Sequence, residues 1–372
     1  MTTYTSHRTY LLFILLVSLI CGKIFFTANS ACAGIISLFD ATDCKARDGD
    51  TLIGLAGEDT HITVAAGATI TLRNAVIINI SSSHSWAGIT LLGDATIILE
   101  GSNEVKGGSE NYPGIFVPEN STLTIKGSGC LTASSSGNGA GIGGRLQNSC
   151  GNIVIDGGNI TAKGGSNGAG IGGAVQGSCG NITINDGIIT AQGGSDGAGI
   201  GGSTQSSCGN ITINGGIIIA TGGRGASGVG GGSQSSCGNI SINCETLVAI
   251  GGDSAAGIGG GSQGSCGTIT IKAGTIIASG GDSAAGIGGG SQGSCSTITI
   301  NRGNITAKGG NRAAGIGSGL QGSCRDMDIK IRNTVTRLAV IKGNDSSDYI
   351  GASIQSKIGT VNIQNGTNII TY

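Results

Sequence analysis

Proline occurs twice in 372 residues, aromatic residues make up 3% of the chain and charged residues 11%. So little proline excludes collagen and proline-rich linkers. The charged fraction is less than half the usual share of roughly 25%. With a net charge of −1, the chain offers no Lys and Arg cluster to meet a phosphate backbone, so nucleic acid is not an expected partner. Only His7, His61 and His84 would titrate near neutral pH, which argues against general acid–base catalysis. From Leu123 to Cys324 there is no Phe, Tyr or Trp. That stretch has no ring on which a sugar could stack.

Glycine is what the chain has in excess: 75 residues, about a fifth of the positions against a usual share of roughly 7%. Ile and Thr accompany it, a composition unlike that of disordered chains.

At the N-terminus, Arg8 precedes the apolar run Leu11–Cys21, and Ala28, Asn29, Ser30 and Ala31 are small residues suited to cleavage. Residues 1–30 read as a secretory signal peptide. The unbroken run falls short of the ~20 residues of a membrane span. An uncleaved signal anchor is the alternative, and membrane contact would then be confined to this segment. Either way the protein is expected to be secreted or held at the cell surface.

A repeat organises the rest. Cys150, Cys179, Cys208, Cys237, Cys266, Cys295 and Cys324 recur with a constant period of 29. Three positions before each stands Gln147, Gln176, Gln205, Gln234, Gln263, Gln292 or Gln321. Apolar spacing within a unit is two. Ile182 and Ile184 flank Thr183, Ile211 and Ile213 flank Thr212, a second segment carries Ile189 and Ala191, and a third carries Ile200 between glycines. Alternation of this kind is that of strands, and no helical run of ten or more residues follows the leader. Three short strands per unit, stacked in register without insertions, predict an all-β fold: a single-stranded right-handed parallel β-helix of about 29 residues per turn. The expected organisation is an N-terminal segment at 31–50, looser N-terminal turns at 51–129, regular repeats at 130–324 and C-terminal turns at 325–372. Polar, atypical capping turns are expected where stacking stops.

The columns carry the candidate chemistry. Without a CxxC pair, a linear array of thiols cannot close a tetrahedral metal site. Disulfides between rungs are compatible with a Cα spacing of ~4.8 Å, but stacked Cβ atoms would sit farther apart than the ~3.8 Å mean for disulfides. We therefore expect an internal stack of free thiols behaving as small buried hydrophobes. Gln355 and Ile358 align with the Gln and Cys columns, and an aliphatic stand-in for Cys fits burial. Cys32 and Cys44 are the candidate disulfide pair of an exported chain. The Gln column is expected to be an amide ladder. Asn181, Thr183, Asn185, Asn210, Thr212 and Asn214 form a regular polar face suited to sugar hydroxyls, and Trp86 and Tyr112 bring nearby rings. Asp253 and Asp282 share a column, a weak suggestion of calcium; no other cofactor is called for. Asn159, Asn181, Asn210 and Asn304 begin Asn-X-Ser/Thr triplets, which matter only in a glycosylating host.

Several stretches carry a family resemblance: Thr71-Leu72-Arg73-Asn74, Gly88-Ile89-Thr90-Leu91, Thr96 to Asn103 (TIILEGSN), Leu123 to Gly129 (LTIKGSG), and the GAGIGG and GNITI units. Together they resemble secreted bacterial carbohydrate-binding-domain proteins of pectate-lyase-like β-helix fold, over about residues 50–370. The resemblance implies surface exposure, binding of plant-type polysaccharide and calcium as an accessory ion. The expected function is thus an exported, non-catalytic repeat protein that binds polysaccharide or a surface glycan. A structural or adhesive surface repeat is the first alternative and a polysaccharide lyase the second.

Overall fold

The computed structural model describes residues 33–39, 41–78, 85–108, 111–324, 328–345, 348–353, 355–358, 360–364 and 369–371. Every regular element among them is a β-strand. Ile182–Ile184 pairs in parallel with Ile211–Ile213, residue on residue. Ile188–Gln192 pairs likewise with Ile217–Thr221, and Ile200–Gly201 with Val229–Gly230. Each such offset is the repeat length, so one repeat is one rung of a parallel β-solenoid.

Two large sheets run along the rod. Among the described residues the first has 21 strands and holds the first two strands of each rung, and the second has 12 and holds the third. Alternation fixes which side chains point inward. Ile182, Ile184, Ile189 and Ile200 are fully buried, while Thr183 between the first two is half-buried on the outer face. The β-branched Ile and Thr suit this pleated, one-sided surface. A single rung exposes both faces of its aliphatic layer, so stability comes from stacking on neighbours.

Glycine makes the stacking tight. Gly172, Gly201 and Gly230 lie at φ of 132°, 135° and 135°, a region closed to other residues. A Cβ on Gly201 would stand 2.0 Å from the Gly230 carbonyl oxygen of the next rung.

The rung length drifts outside the regular zone. Thr51 pairs with Thr71 and Ala68 with Ala95, both steps shorter than the repeat. At the other end Ile298 pairs with Ile329 and Ile305 with Leu338, both steps longer than it. Ile35 and Phe39 near one end of the described residues, and Val361 and Ile363 near the other, are exposed apolar side chains; among the described residues the strands Ile35–Ser37 and Val361–Ile363 each pair with a rung on one side.

Candidate functional site

The polar face is real, but much of it is committed to holding rungs together. Asn181 Oδ1 accepts the backbone N–H of Asn210 at 2.8 Å, and Asn210 Oδ1 accepts that of Asn239 at 2.8 Å. Asn185 Nδ2 donates to Asp156 at 2.7 Å, and Asn185 Oδ1 accepts from Asn214 Nδ2 at 2.8 Å. These four asparagines are rung-to-rung ties before they are ligand groups. Thr183 and Thr212 pair with each other across consecutive rungs and point outward, half-buried. On the adjacent strand the corresponding stripe turns apolar in the middle rungs. Ile188, Ile217, Ile219, Ile250 and Ile277 are each 40–51% exposed.

The Gln column lies at the surface as a continuous amide ladder. Gln147 Nε2 donates to Gln176 Oε1 at 3.2 Å, and the series runs through Gln205, Gln234, Gln263, Gln292 and Gln321 to Gln355. All eight residues adopt a left-handed backbone, φ 50–60°, which costs a non-glycine residue roughly 1–2 kcal/mol. Sequence reasoning missed this conformation, because Gly, Asn and Asp are the usual occupants of left-handed positions. The ladder bonds offset the backbone cost. Gln205→Ala is therefore expected to melt at lower denaturant concentration than Gln205→Gly, by about 1 kcal/mol, since only glycine relieves the backbone. Equal midpoints in equilibrium unfolding would contradict this.

The Cys column departs from the expected stack of free thiols. Cys150 and Cys179 form a disulfide with Cα atoms 4.5 Å apart. The expectation rested on ideal sheet spacing. Here the pair is joined by an isolated backbone bridge, and its Cα separation lies inside the span of roughly 4.4–6.8 Å that disulfides bridge. The disulfide lines a surface cleft of about 240 Å³ with Glu119, Asn120 and Asn152. Cys208, Cys237, Cys266 and Cys295 are free and buried. Hydrogen bonding to Cys237, then burial, pushes the Cys208 thiol well up; contact with Cys237 and Cys295 does the same for Cys266. Cys237, bonded to both Cys208 and Cys266, is held low. Cys324 pairs with Ile358 through their backbones. Of the candidate pair Cys32 and Cys44, the Cys44 thiol is free and buried, pushed up to about 11 by burial and by Asp50 and Asp43. Cys32 lies outside the described residues.

The calcium suggestion finds no support in the side chains of its column. Asp282 is engaged by Arg312 Nη2 at 3.2 Å and by Asn311 Nδ2 at 2.6 Å. Among the described residues no three His, Cys, Asp or Glu side chains converge. A cation requiring six to eight oxygens does not fit this arrangement.

What the fold does bring together is rings. Between Phe39 and Tyr349 the sequence has three aromatic residues, Trp86, Tyr112 and Phe116. Ile89 pairs with Ile115, which puts Trp86 and Tyr112, each three positions earlier, on consecutive rungs. Thr90 pairs with Phe116 in the same register. Trp86 stacks on His61, ring centres 4.7 Å apart and planes inclined by 21°. Arg145, two positions after the Gly143 that pairs with Phe116, covers both other rings. Its guanidinium carbon is 5.2 Å from the Tyr112 centre and 5.4 Å from that of Phe116. Arg145 Nη1 donates to the Tyr112 hydroxyl at 2.9 Å, whereas the buried Nε has no partner among the described residues. All five side chains are half-buried. The polar face thus lies apart from Trp86 and Tyr112 in the sequence of rungs, and the two sets do not form one site. Arg145 and His61 escaped sequence reasoning. A signal existed for Arg145, since its repeat equivalents are Ala174, Ser203, Gly232, Gly261, Gly290 and Gly319, all small.

Residues 123–144, 153–175, 182–204, 269–291 and 298–320 match a family model described as Beta helix repeat. The match falls on rungs and leaves Trp86, Tyr112 and Phe116 outside it. No curated protein and no solved structure matches the chain.

Proposed function

We propose that this parallel β-helix repeat protein is an exported, non-catalytic binder of polysaccharide at the cell surface or outside the cell, and that it holds sugar at the corner of Trp86, Tyr112, Phe116 and Arg145. One observation carries the reading: the three aromatic residues of the central three hundred positions all lie on consecutive rungs at that corner. Sugar rings present C–H faces that pack on aromatic faces, and a hydroxyl-bearing tip keeps such rings wet at one end. Arg145 Nε–H, buried and without a partner among the described residues, supplies a donor for a ligand oxygen, as an orphaned buried polar group calls for one. The leader-like residues 1–30 support export.

The test is retention of the full-length protein on a panel of insoluble polysaccharides. Phe116→Ala and Trp86→Ala are expected to weaken retention about tenfold, the worth of one ring contact with its buried area. Thr183→Ala, remote from the corner, is expected to bind as the parent does. Unchanged melting of Phe116→Ala keeps the comparison interpretable. Failure of the parent to bind any polysaccharide removes the proposal.

A second reading, a structural or adhesive surface repeat with a protein partner, is favoured by the exposed Ile219, Ile250 and Ile277 stripe, since clustered apolar surface marks interaction sites. It predicts attachment that survives Phe116→Ala and is lost in Ile219→Lys. Unsaturated products released from polygalacturonate with calcium would replace both readings with that of a lyase.

A further inference from the structure

The Cys150–Cys179 bond is one step of a column that continues. Cys179 and Cys208, Cys208 and Cys237, and Cys237 and Cys266 are joined by the same kind of parallel backbone bridge as Cys150 and Cys179. Cys266 and Cys295 are joined by a two-residue parallel strand pair. The bonded step has its Cα atoms 4.5 Å apart, within the span of roughly 4.4–6.8 Å that disulfides bridge. Beyond Cys179 the thiols of Cys208, Cys237, Cys266 and Cys295 are free and in contact one after another, Cys208 with Cys237, Cys237 with Cys266 and Cys266 with Cys295. They also sit in the wall of the rod rather than on its axis. Each keeps 4–7% of its surface accessible, while Ile211, Ile269 and Ile298 keep none.

We propose that Cys208–Cys237 and Cys266–Cys295 are two further inter-rung disulfide sites, filled by exchange with a small-molecule disulfide. With Cys179 already bonded to Cys150, pairing in twos from that end joins Cys208 to Cys237 and then Cys266 to Cys295. Joining Cys237 to Cys266 instead would leave Cys208 without a free thiol on either adjacent rung, since Cys179 is bonded to Cys150. In the exchange, the Cys237 thiolate attacks one sulfur of the small disulfide, whose S–S bond breaks and releases a thiolate. The Cys208 thiolate then attacks the Cys237 sulfur, the mixed S–S bond breaks and the second small thiolate leaves. The two protons lost by the cysteines end on the two released thiols. Two protein thiols are oxidised and one small disulfide is reduced. Cys266 and Cys295 follow the same balance.

The experiment treats the full chain and its Cys244→Ser variant with oxidised glutathione. Remaining thiols are alkylated in acid and denaturant, and the chain is cleaved at Asp, Lys and Arg for mass spectrometry. Cleavage at Asp196, Asp253 and Asp282 leaves Cys208, Cys266 and Cys295 on separate peptides, and Cys244→Ser removes the other thiol from the Cys237 peptide. The expected result is loss of four alkylated cysteines, with the Cys208 peptide linked to the Cys237 peptide and the Cys266 peptide to that of Cys295. In a Cys208→Ser variant the first link is expected to vanish while the second persists. Thiols that remain alkylated, that stop at the glutathione adduct, or that join Cys237 to Cys266 overturn the proposal.

Discussion

Excision of residues 180–208 is expected to leave a folded, soluble protein that melts within a few degrees of the parent, whereas excision of residues 186–199 is expected to abolish the cooperative transition. The first deletion removes one whole rung. Cys179 is then followed by Gly209, Asn210 and Ile211 in place of Gly180, Asn181 and Ile182, and every strand meets an equivalent partner. Rungs interact with nearest neighbours, so the loss is one intrinsic term and one interface of a near-additive series. The second deletion keeps the first strand Ile182–Ile184 and removes Ile188–Gln192, the strand that joins Asn159–Lys163 to Ile217–Thr221. Those two would face each other across twice the ~4.8 Å spacing of paired strands, with their N–H and C=O groups unpaired in a dry interior. Circular dichroism during thermal unfolding reads both outcomes, and small-angle scattering should show the full-rung variant shorter by about 4.8 Å. A full-rung deletion that fails to fold would refute the stacking argument.

Gly201→Ala is expected to lower stability by about 4 kcal/mol, among the larger effects of a point substitution. Two costs add. A φ of 135° is strained for any residue with a Cβ, at roughly 1–3 kcal/mol. The new methyl carbon would also stand 2.0 Å from the Gly230 carbonyl oxygen, and that oxygen accepts the backbone N–H of Gly202 at 2.9 Å. Relief by shifting the next rung would break that hydrogen bond and pass the displacement on, since Gly230 meets Gly259 in the same way. Gly57→Ala is the control: its nearest neighbour would be the Thr60 hydroxyl at 3.5 Å, and its unfolding midpoint should move by less than about 1 kcal/mol. Similar midpoints for the two variants would show that the rungs are looser than their contacts imply.

The rungs were legible in the sequence because their signal is local and repeated. The Ile182-Thr183-Ile184 alternation identifies a strand with one buried face, and its recurrence at a constant interval fixes what stacks on what. Gln355 and Ile358 could be assigned to the Gln and Cys columns despite the longer final rung, and the Gln321–Gln355 bond and the Cys324–Ile358 pairing follow that register. The disulfide was not legible, because a few tenths of an ångström between two backbones decide it and no residue type encodes that distance. Nor was the aromatic corner. Trp86, Tyr112 and Arg145 are separated in sequence by intervals unlike the repeat length, and only the drift of rung length in the N-terminal turns aligns them. The rung-to-rung bonds of the asparagines were not legible for a related reason: the same Asn-X-Thr pattern serves a sugar or a neighbouring backbone amide equally well.

The amide ladder has a direction. At every step from Gln147 to Gln321 the side-chain nitrogen donates toward the C-terminal neighbour and the oxygen accepts from the N-terminal one. Eight amide dipoles are therefore aligned head to tail along one edge, and hydrogen bonds in such chains polarise one another. The partial charges cancel everywhere except at the two termini of the series, leaving a negative pole at the Gln147 oxygen and a positive pole at the Gln355 amino group. An electrically near-neutral chain thus carries a lengthwise polarity that scales with the number of repeats, and a second molecule meeting it end to end would be favoured head-to-tail over head-to-head.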